Sequence, residues 1–131
     1  MTYEQIRLIL TARMAAFGGI TQDRIDYPNQ PTVFNTPESG LWCRFIILHA
    51  TPFMAGMANA PYTRRPGQIT IQCFARERTG TKAVNEIADA LIAHFGYWSS
   101  GDLECMEAGQ AIAGEFEGFY QVNVNIRFRA G

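Results

Sequence analysis

Three cysteines and two histidines are the residues of this chain best suited to nucleophilic or metal chemistry. Cys43, Cys73 and Cys105 stand about thirty residues apart, a spacing that matches none of the common metal-binding motifs. We expect three reduced, largely buried thiols, with a thiolate nucleophile or a metal site as the alternatives. His49 and His94 have no Cys, Asp or Glu at ligand spacing, and His94 suits the C-terminal end of a helix. The sequence therefore predicts no catalytic residue and no metal site.

Catalytic and cofactor-binding signatures are missing as well, since the sequence contains no G-x-S-x-G, H-E-x-x-H or G-x-G-x-x-G pattern. The run Thr79-Gly80-Thr81-Lys82 resembles part of a phosphate-binding loop. It lacks that loop's first glycine and the Ser or Thr after the lysine, so a cap at the start of a helix explains it better. We predict that the protein is not an enzyme and binds no cofactor. A small-molecule-binding or enzymatic α+β domain stays as an alternative.

The overall charge argues against tight binding to nucleic acid or to an anionic membrane. Eleven basic and twelve acidic residues give a formal net charge of −1, so the molecule as a whole has no strong attraction for phosphate. No segment has the ~20 apolar residues of a membrane-spanning helix. The N-terminus lacks the basic region and cleavage site of a signal peptide, so we expect synthesis in a reducing host cytoplasm.

Two segments have the three- and four-residue apolar spacing of amphipathic helices. The first covers residues 3–17, with Thr2 and Gln5 placed as a capping box and Gly18-Gly19 as the stop. The second covers residues 81–95, with Thr81 as the N-cap and Gly96 as the C-terminal stop. Packed against the sheet, these helices would fix the orientation of the surface that the strands expose.

Strand patterns fill most of the remaining sequence. Residues 41–50, 68–76 and 119–129 are the clearest, residues 103–106 are weaker, and residues 24–27 form a short extended piece before an irregular loop. With 131 residues and 47% hydrophobic content, the chain predicts one domain, residues 1–131. We expect an α+β fold with a single, mostly antiparallel sheet of about four strands and two amphipathic helices packed on one face.

The connection over residues 51–67 is long for a hairpin and unusually apolar. We interpret it as a hairpin arm that packs on a neighbouring subunit, because Met, aromatic residues and Arg are common at interfaces. The alternative is that it folds back over the domain's own core. The expected interface residues are Phe53, Met54, Met57, Tyr62, Arg64 and Arg65.

The last strand has a strongly polar side formed by Asn123, Asn125, Arg127 and Arg129. This side is either an ordinary solvated sheet face or a polar wall, such as a channel lumen or a wet contact between subunits. Residues 107–118 contain three glycines and read as a second flexible segment that could contact a partner.

In order and at this length, several short patterns resemble the phage tail-terminator-like family, small proteins related in role to the lambda-type tail terminator. They span most of the chain, and each is weak by itself. The patterns are Tyr3, Ile6 and Arg7; Ile25-Asp26-Tyr27-Pro28-Asn29 with Phe34; Trp42 and Arg44; Gly67-Gln68-Ile69; Gly80-Thr81; Ala88-Asp89, Leu91 and Phe95; and Gly118-Phe119-Tyr120.

The resemblance implies a structural virion protein at the head-proximal end of the tail. Such proteins form a hexameric ring that caps the tail tube, stops its polymerisation and joins it to the head–tail connector, with genomic DNA passing through the lumen. The implied partners are further copies of the chain, the tail tube protein, the connector or stopper protein and transient DNA, with no membrane. A head–tail stopper or connector component is the alternative within the same class.

Overall fold

The computed structural model of the protein describes residues 1–54 and 63–131. Within these ranges the chain forms two helices, seven strands and a short 3-10 turn at Gln22–Arg24. In chain order the elements are α1 (Tyr3–Ala15), β1 (Ile25–Asp26), β2 (Trp42–His49), β3 (Phe53–Met54), β4 (Thr63–Arg76), α2 (Lys82–Phe95), β5 (Ser99–Ser100), β6 (Leu103–Phe116) and β7 (Phe119–Ala130).

Helix α1 begins at the predicted capping box. The Thr2 hydroxyl accepts a hydrogen bond from the Gln5 backbone N–H at 3.1 Å, and the Gln5 side chain accepts one from the Thr2 N–H at 2.8 Å. These reciprocal bonds satisfy two donors that the first helical turn leaves without partners. The buried stripe of α1 consists of Ile6, Leu10 and Met14.

Helix α2 has the predicted bounds, with Thr81 as the N-cap and Gly96 directly after the last helical residue. Thr81 makes no side-chain cap hydrogen bond, and Gly96 has a φ of −58°. The next residue, Tyr97, is in the left-handed region, with a φ of 59°. A Cβ at Gly96 would lie 2.7 Å from the Ile92 carbonyl oxygen, so glycine is needed here for close backbone approach.

The C-terminal ends of the two helices are joined by a reciprocal pair of hydrogen bonds. The Arg13 guanidinium donates to the His94 carbonyl oxygen at 2.5 and 3.1 Å, and His94 Nε2 donates to the Arg13 carbonyl oxygen at 2.7 Å. The last carbonyls of a helix have no intrahelical donors, so each residue satisfies an acceptor of the other helix. His94 therefore lies at a helix end where its ring can donate to a carbonyl oxygen of the other helix.

The sheet contradicts the predicted fold class. It is a curled, mixed sheet of seven strands resembling a half-barrel, in the order β1-β2-β4-β7-β6-β5, with β3 paired to β4 off this path. β1 pairs with β2 in parallel, and the remaining pairs are antiparallel. The prediction of one mostly antiparallel sheet of about four strands is therefore wrong.

Two physical reasons account for the difference. β1, β3 and β5 have two residues each, too few for a strand to show its two-residue period in the sequence. β6 continues through residues 107–116, which we predicted to be a flexible segment because of their glycines. Its register with β7 shifts between Cys105 and Ala108 and again between Ile112 and Gly114, and such bulges increase local twist.

One face of the long strands forms the core with both helices. The opposed rows Cys43–Cys73–Val122 and Phe45–Ile71–Val124 run across β2, β4 and β7 on this face. Their side chains are at most 1% exposed, and they belong to one buried cluster with the apolar stripes of α1 and α2. Neither helix of the described ranges is long and apolar enough to cross a membrane.

We predict that Arg13→Ala lowers the free energy of unfolding by about 1–3 kcal/mol, because it removes both donors from the His94 carbonyl oxygen. Arg7→Ala is the matched control on the same helix. Arg7 pairs with Glu4 in solvent, so its replacement should change stability much less than that of Arg13. Urea denaturation measures both, and equal effects would contradict a specific role for the helix junction.

Candidate functional site

The sheet face opposite the core is polar and is built from the other half of the strand residues. Across β2, β4 and β7 the opposed rows are Arg44–Gln72–Asn123, Ile46–Thr70–Asn125 and Leu48–Gln68–Arg127. Arg129 continues this face opposite Pro66, so the four polar residues predicted on the last strand do share one surface. We call this surface the polar face.

Hydrogen bonds between side chains organise the centre of the polar face. Thr70 Oγ1 donates to Asn125 Oδ1 at 3.0 Å, and Gln68 Nε2 lies 3.2 Å from the same oxygen and 3.1 Å from Thr70 Oγ1. Thr70 is only 9% exposed, although it lies on the polar side of the sheet. A buried hydroxyl needs a partner, so this network holds the central side chains in place.

Three arginines of the polar face are paired with carboxylates. Arg44 Nε lies 3.2 Å from Asp26 Oδ2, Arg127 Nη1 lies 2.7 Å from Glu107 Oε1, and Arg129 pairs with Glu104. Within each of these pairs the formal charges cancel. The pKa of Glu107 is lowered by a hydrogen bond from its own backbone N–H and next by Arg127, so this carboxylate stays ionised further into acid than an ordinary Glu.

An aromatic cluster closes one end of the polar face. Trp42 stacks on Phe74 with ring centroids 4.1 Å apart, and Phe119 and Phe34 pack around them. The Arg76 guanidinium lies 4.4 Å from the Phe119 ring centroid and donates to the Pro37 carbonyl oxygen at 2.8 Å. The loop before β2 is thereby held over this end of the sheet. The sequence analysis did not predict the cluster, because its members are far apart in the chain.

The base of the predicted arm is a short ladder between β3 and β4. Phe53 pairs with Arg64 and Met54 with Thr63. Phe53 is 51% exposed and Met54 60%, while Leu48 nearby on β2 is 52% exposed. Met57 and Tyr62 lie outside the described residues. We call Leu48, Phe53 and Met54 the arm surface.

The two arginines of the arm differ in their surroundings. Arg65 Nη1 donates to the Met1 carbonyl oxygen at 2.9 Å, and its guanidinium lies 5.2 Å from the Tyr3 ring centroid. Arg65 therefore connects the start of β4 to the start of α1, and part of its guanidinium is already bonded within its own subunit. Arg64 is half-buried on the arm ladder. An interface role for both residues remains a prediction.

A second exposed apolar surface lies along β6, in a segment where the sequence analysis predicted a strand only over residues 103–106. Ile112 is 69% exposed and Phe116 is 65% exposed. β5 pairs only with Leu103 and Glu104, and the Cys105 N–H and the Met106 carbonyl oxygen bond to the backbone of Trp98 and Tyr97. Within the described ranges the outer edge of β6 from Glu107 to Phe116 therefore has no strand beside it. Exposed edges of this length offer backbone N–H and C=O groups to another chain. We call this surface the β6 edge.

The cysteines and histidines do not come together in one site. All three cysteines are buried, and burial raises the pKa of the Cys105 thiol to about 11. His49 packs against the Tyr3 ring at the end of β2, while His94 is engaged at the helix junction. Among the described residues, no three His, Cys, Asp or Glu side chains are grouped so that they could hold a metal ion.

Comparison with known proteins supports the fold and adds nothing on activity. No protein-family model and no curated protein matches the sequence. A solved structure of 16% sequence identity, whose name states no function, covers 100% of this chain and 96% of its own, with a TM-score of 0.74. At such low identity the likeness shows a shared fold alone.

We predict that Asn125→Ala lowers the free energy of unfolding by about 1–2 kcal/mol, because Thr70 and Gln68 lose their shared acceptor. Asn123→Ala is the matched control, since it makes the same change on the same strand and face outside this network, where Asn123 Oδ1 accepts one side-chain hydrogen bond, from Gln121 Nε2 at 2.7 Å. It should cost roughly 0.5 kcal/mol, because a single hydrogen bond is lost. Chemical denaturation measures the free energy of unfolding of both variants. A larger loss of stability for Asn123→Ala would show that the network contributes little.

Proposed function

We propose that the protein is a structural subunit of a phage tail, a tail terminator that assembles into a ring, hexameric in the related proteins. In this role it caps the tail tube, stops tube polymerisation and joins the tube to the head–tail connector. Its work is contact between protein chains, and it acts in the virion after assembly in the host cytoplasm. The order of short sequence patterns that resemble tail terminators motivates this assignment.

The observation that carries the proposal is the separation of two exposed apolar surfaces on one subunit. The arm surface extends from the β3–β4 ladder, whereas the β6 edge lies two strands beyond β4 in the sheet. A closed ring requires contacts between two different patches, because a head-to-tail arrangement joins one patch of each copy to the other patch of the next. We infer that the arm surface of one copy contacts the β6 edge of its neighbour.

The polar face suits the lumen of such a ring. Its hydrogen-bonding side chains favour water, and three of its arginines are paired with three carboxylates. Unpaired arginines would bind phosphates and release counterions, which would retain DNA in the channel. A balanced polar wall instead lets DNA pass with little attraction. Asn123, Asn125, Arg127 and Arg129 then face the DNA through water.

We predict that the double substitution Phe53→Ser and Met54→Ser weakens ring formation at least about tenfold, because it removes apolar area from the contact. Both side chains are exposed in the single subunit, so the melting temperature should stay nearly unchanged. Native mass spectrometry and negative-stain imaging, with and without tail tubes, measure assembly.

Val33→Ser is the control for loss of an exposed apolar side chain away from the arm, since Val33 is 87% exposed. Normal rings from the double variant would remove the arm from the interface. A wild-type protein that stays monomeric on tail tubes but binds the portal side would favour the head–tail stopper or connector instead.

A second prediction concerns the lumen. Glu104→Gln with Glu107→Gln leaves Arg127 and Arg129 without their carboxylates, and we expect slower DNA release from virions, with the effect shrinking as salt is raised. Glu4→Gln, an equivalent exposed change on α1, should leave DNA release unchanged. Unaltered release from particles that contain the double variant would place the polar face outside the lumen.

A further inference from the structure

Two of the three cysteines lie opposite each other on neighbouring strands. Cys43 of β2 is the register partner of Cys73 of β4, and their Sγ atoms are 3.9 Å apart. Both side chains point into the core and are at most 1% exposed. The proposed function gives this pair no role.

The backbone pattern shows which kind of cross-strand position the pair occupies. The Ala50 N–H donates to the Pro66 carbonyl oxygen at 3.0 Å, so these opposed residues form a hydrogen-bonded pair. Opposed pairs alternate between hydrogen-bonded and non-hydrogen-bonded along an antiparallel ladder. The register between β2 and β4 is unbroken from His49–Gly67 to Trp42–Phe74, so counting back by single residues makes Cys43–Cys73 a non-hydrogen-bonded pair.

That position brings the two side chains as close as an antiparallel sheet allows. Cα atoms of non-hydrogen-bonded pairs are about 4.5 Å apart, within the roughly 4.4–6.8 Å spanned by disulfides. The third thiol lacks this geometry. β7 separates β6 from β4, which puts Cys105 about 10 Å from Cys73 across the sheet, and Cys105 is also displaced along the strands because its register partner is Phe128.

We propose that Cys43 and Cys73 are a latent disulfide, closed by a small-molecule disulfide such as oxidised glutathione. One cysteine, as thiolate, attacks the oxidant and forms a mixed disulfide, releasing one glutathione thiol. The other cysteine then attacks the protein sulfur of that mixed disulfide and releases the second glutathione. The two protein thiols together lose two hydrogens and two electrons, and the sulfur–sulfur bond of the oxidant is reduced to two thiols.

The burial of the two thiols determines the conditions under which this reaction occurs. The hydrogen bond with Cys73, and next burial, raise the pKa of the Cys43 thiol well above its usual value, so little thiolate exists in the folded protein. The reaction therefore needs transient separation of β2 from the core, or it occurs while the chain folds. The reduced pair persists in a reducing cytoplasm and closes under oxidising conditions.

Closure would join the two strands that lead into and out of the arm. The covalent loop runs from Cys43 to Cys73 and contains β3 with the start of β4, so it restricts the unfolded chain over the segment that carries the arm surface. The inference depends only on the register of β2 with β4 and holds whether or not the protein forms a ring.

The test uses the full chain incubated with oxidised glutathione in mild urea and then returned to native buffer. We expect a mass loss of two hydrogens, a peptide cross-link between Cys43 and Cys73, and a melting temperature raised by about 10 °C that reverts with dithiothreitol. Cys105→Ala should behave like the wild type. Cys73→Ala should instead retain glutathione on Cys43, and Cys43→Ala provides the reciprocal variant if Cys73→Ala folds poorly.

The proposal fails if glutathione adducts accumulate on Cys43 and Cys73 of the wild type without a cross-link. It also fails if cross-links to Cys105 form in equal yield, or if closure lowers the melting temperature. Peptide mapping and the melting temperature of the wild type alone distinguish these outcomes, so the result does not depend on the folding of any variant.

Discussion

The structure depends on one constraint, which is that β2, β4 and β7 keep the side chains of the buried core rows on a single face. Successive side chains of a strand point to opposite sides, so a shift of one residue in either register would move these rows out of the core. The rows Cys43–Cys73–Val122 and Phe45–Ile71–Val124 show that the three strands satisfy this constraint together. Both helices can then cover the apolar side, and the other side is left for polar groups.

The same registers that bury the core also assemble the polar face. Opposed positions place Thr70 beside Asn125 and Glu104 beside Arg129, so side chains far apart in the chain satisfy each other. Hydrogen bonds at the centre and balanced charges toward β6 make this a surface that stays hydrated. The same registers place Cys43 opposite Cys73, and the disulfide proposed between them would constrain the arm covalently.

Large exposed apolar side chains lie along the edges of the sheet. The core face is apolar because it is buried within the subunit, and the opposite face is largely polar because it contacts water. Phe53 and Met54 on the arm ladder and Ile112 and Phe116 on β6 remain exposed although their side chains are large and apolar. These exposed apolar side chains motivate the proposal that the protein works through contacts with other chains.

The sequence by itself determined the two helices, the Thr2–Gln5 cap, the central strands and the polar composition of the last strand, because each is a local pattern of a few neighbouring residues. It also indicated three buried thiols from residue type. The strand number, the extension of β6, the parallel pairing of β1 and the partners of Arg127, Arg129 and Cys43 were decided by the tertiary structure. These features depend on which distant segments lie side by side, and a two-residue strand or a cross-strand partner leaves no local period in the sequence.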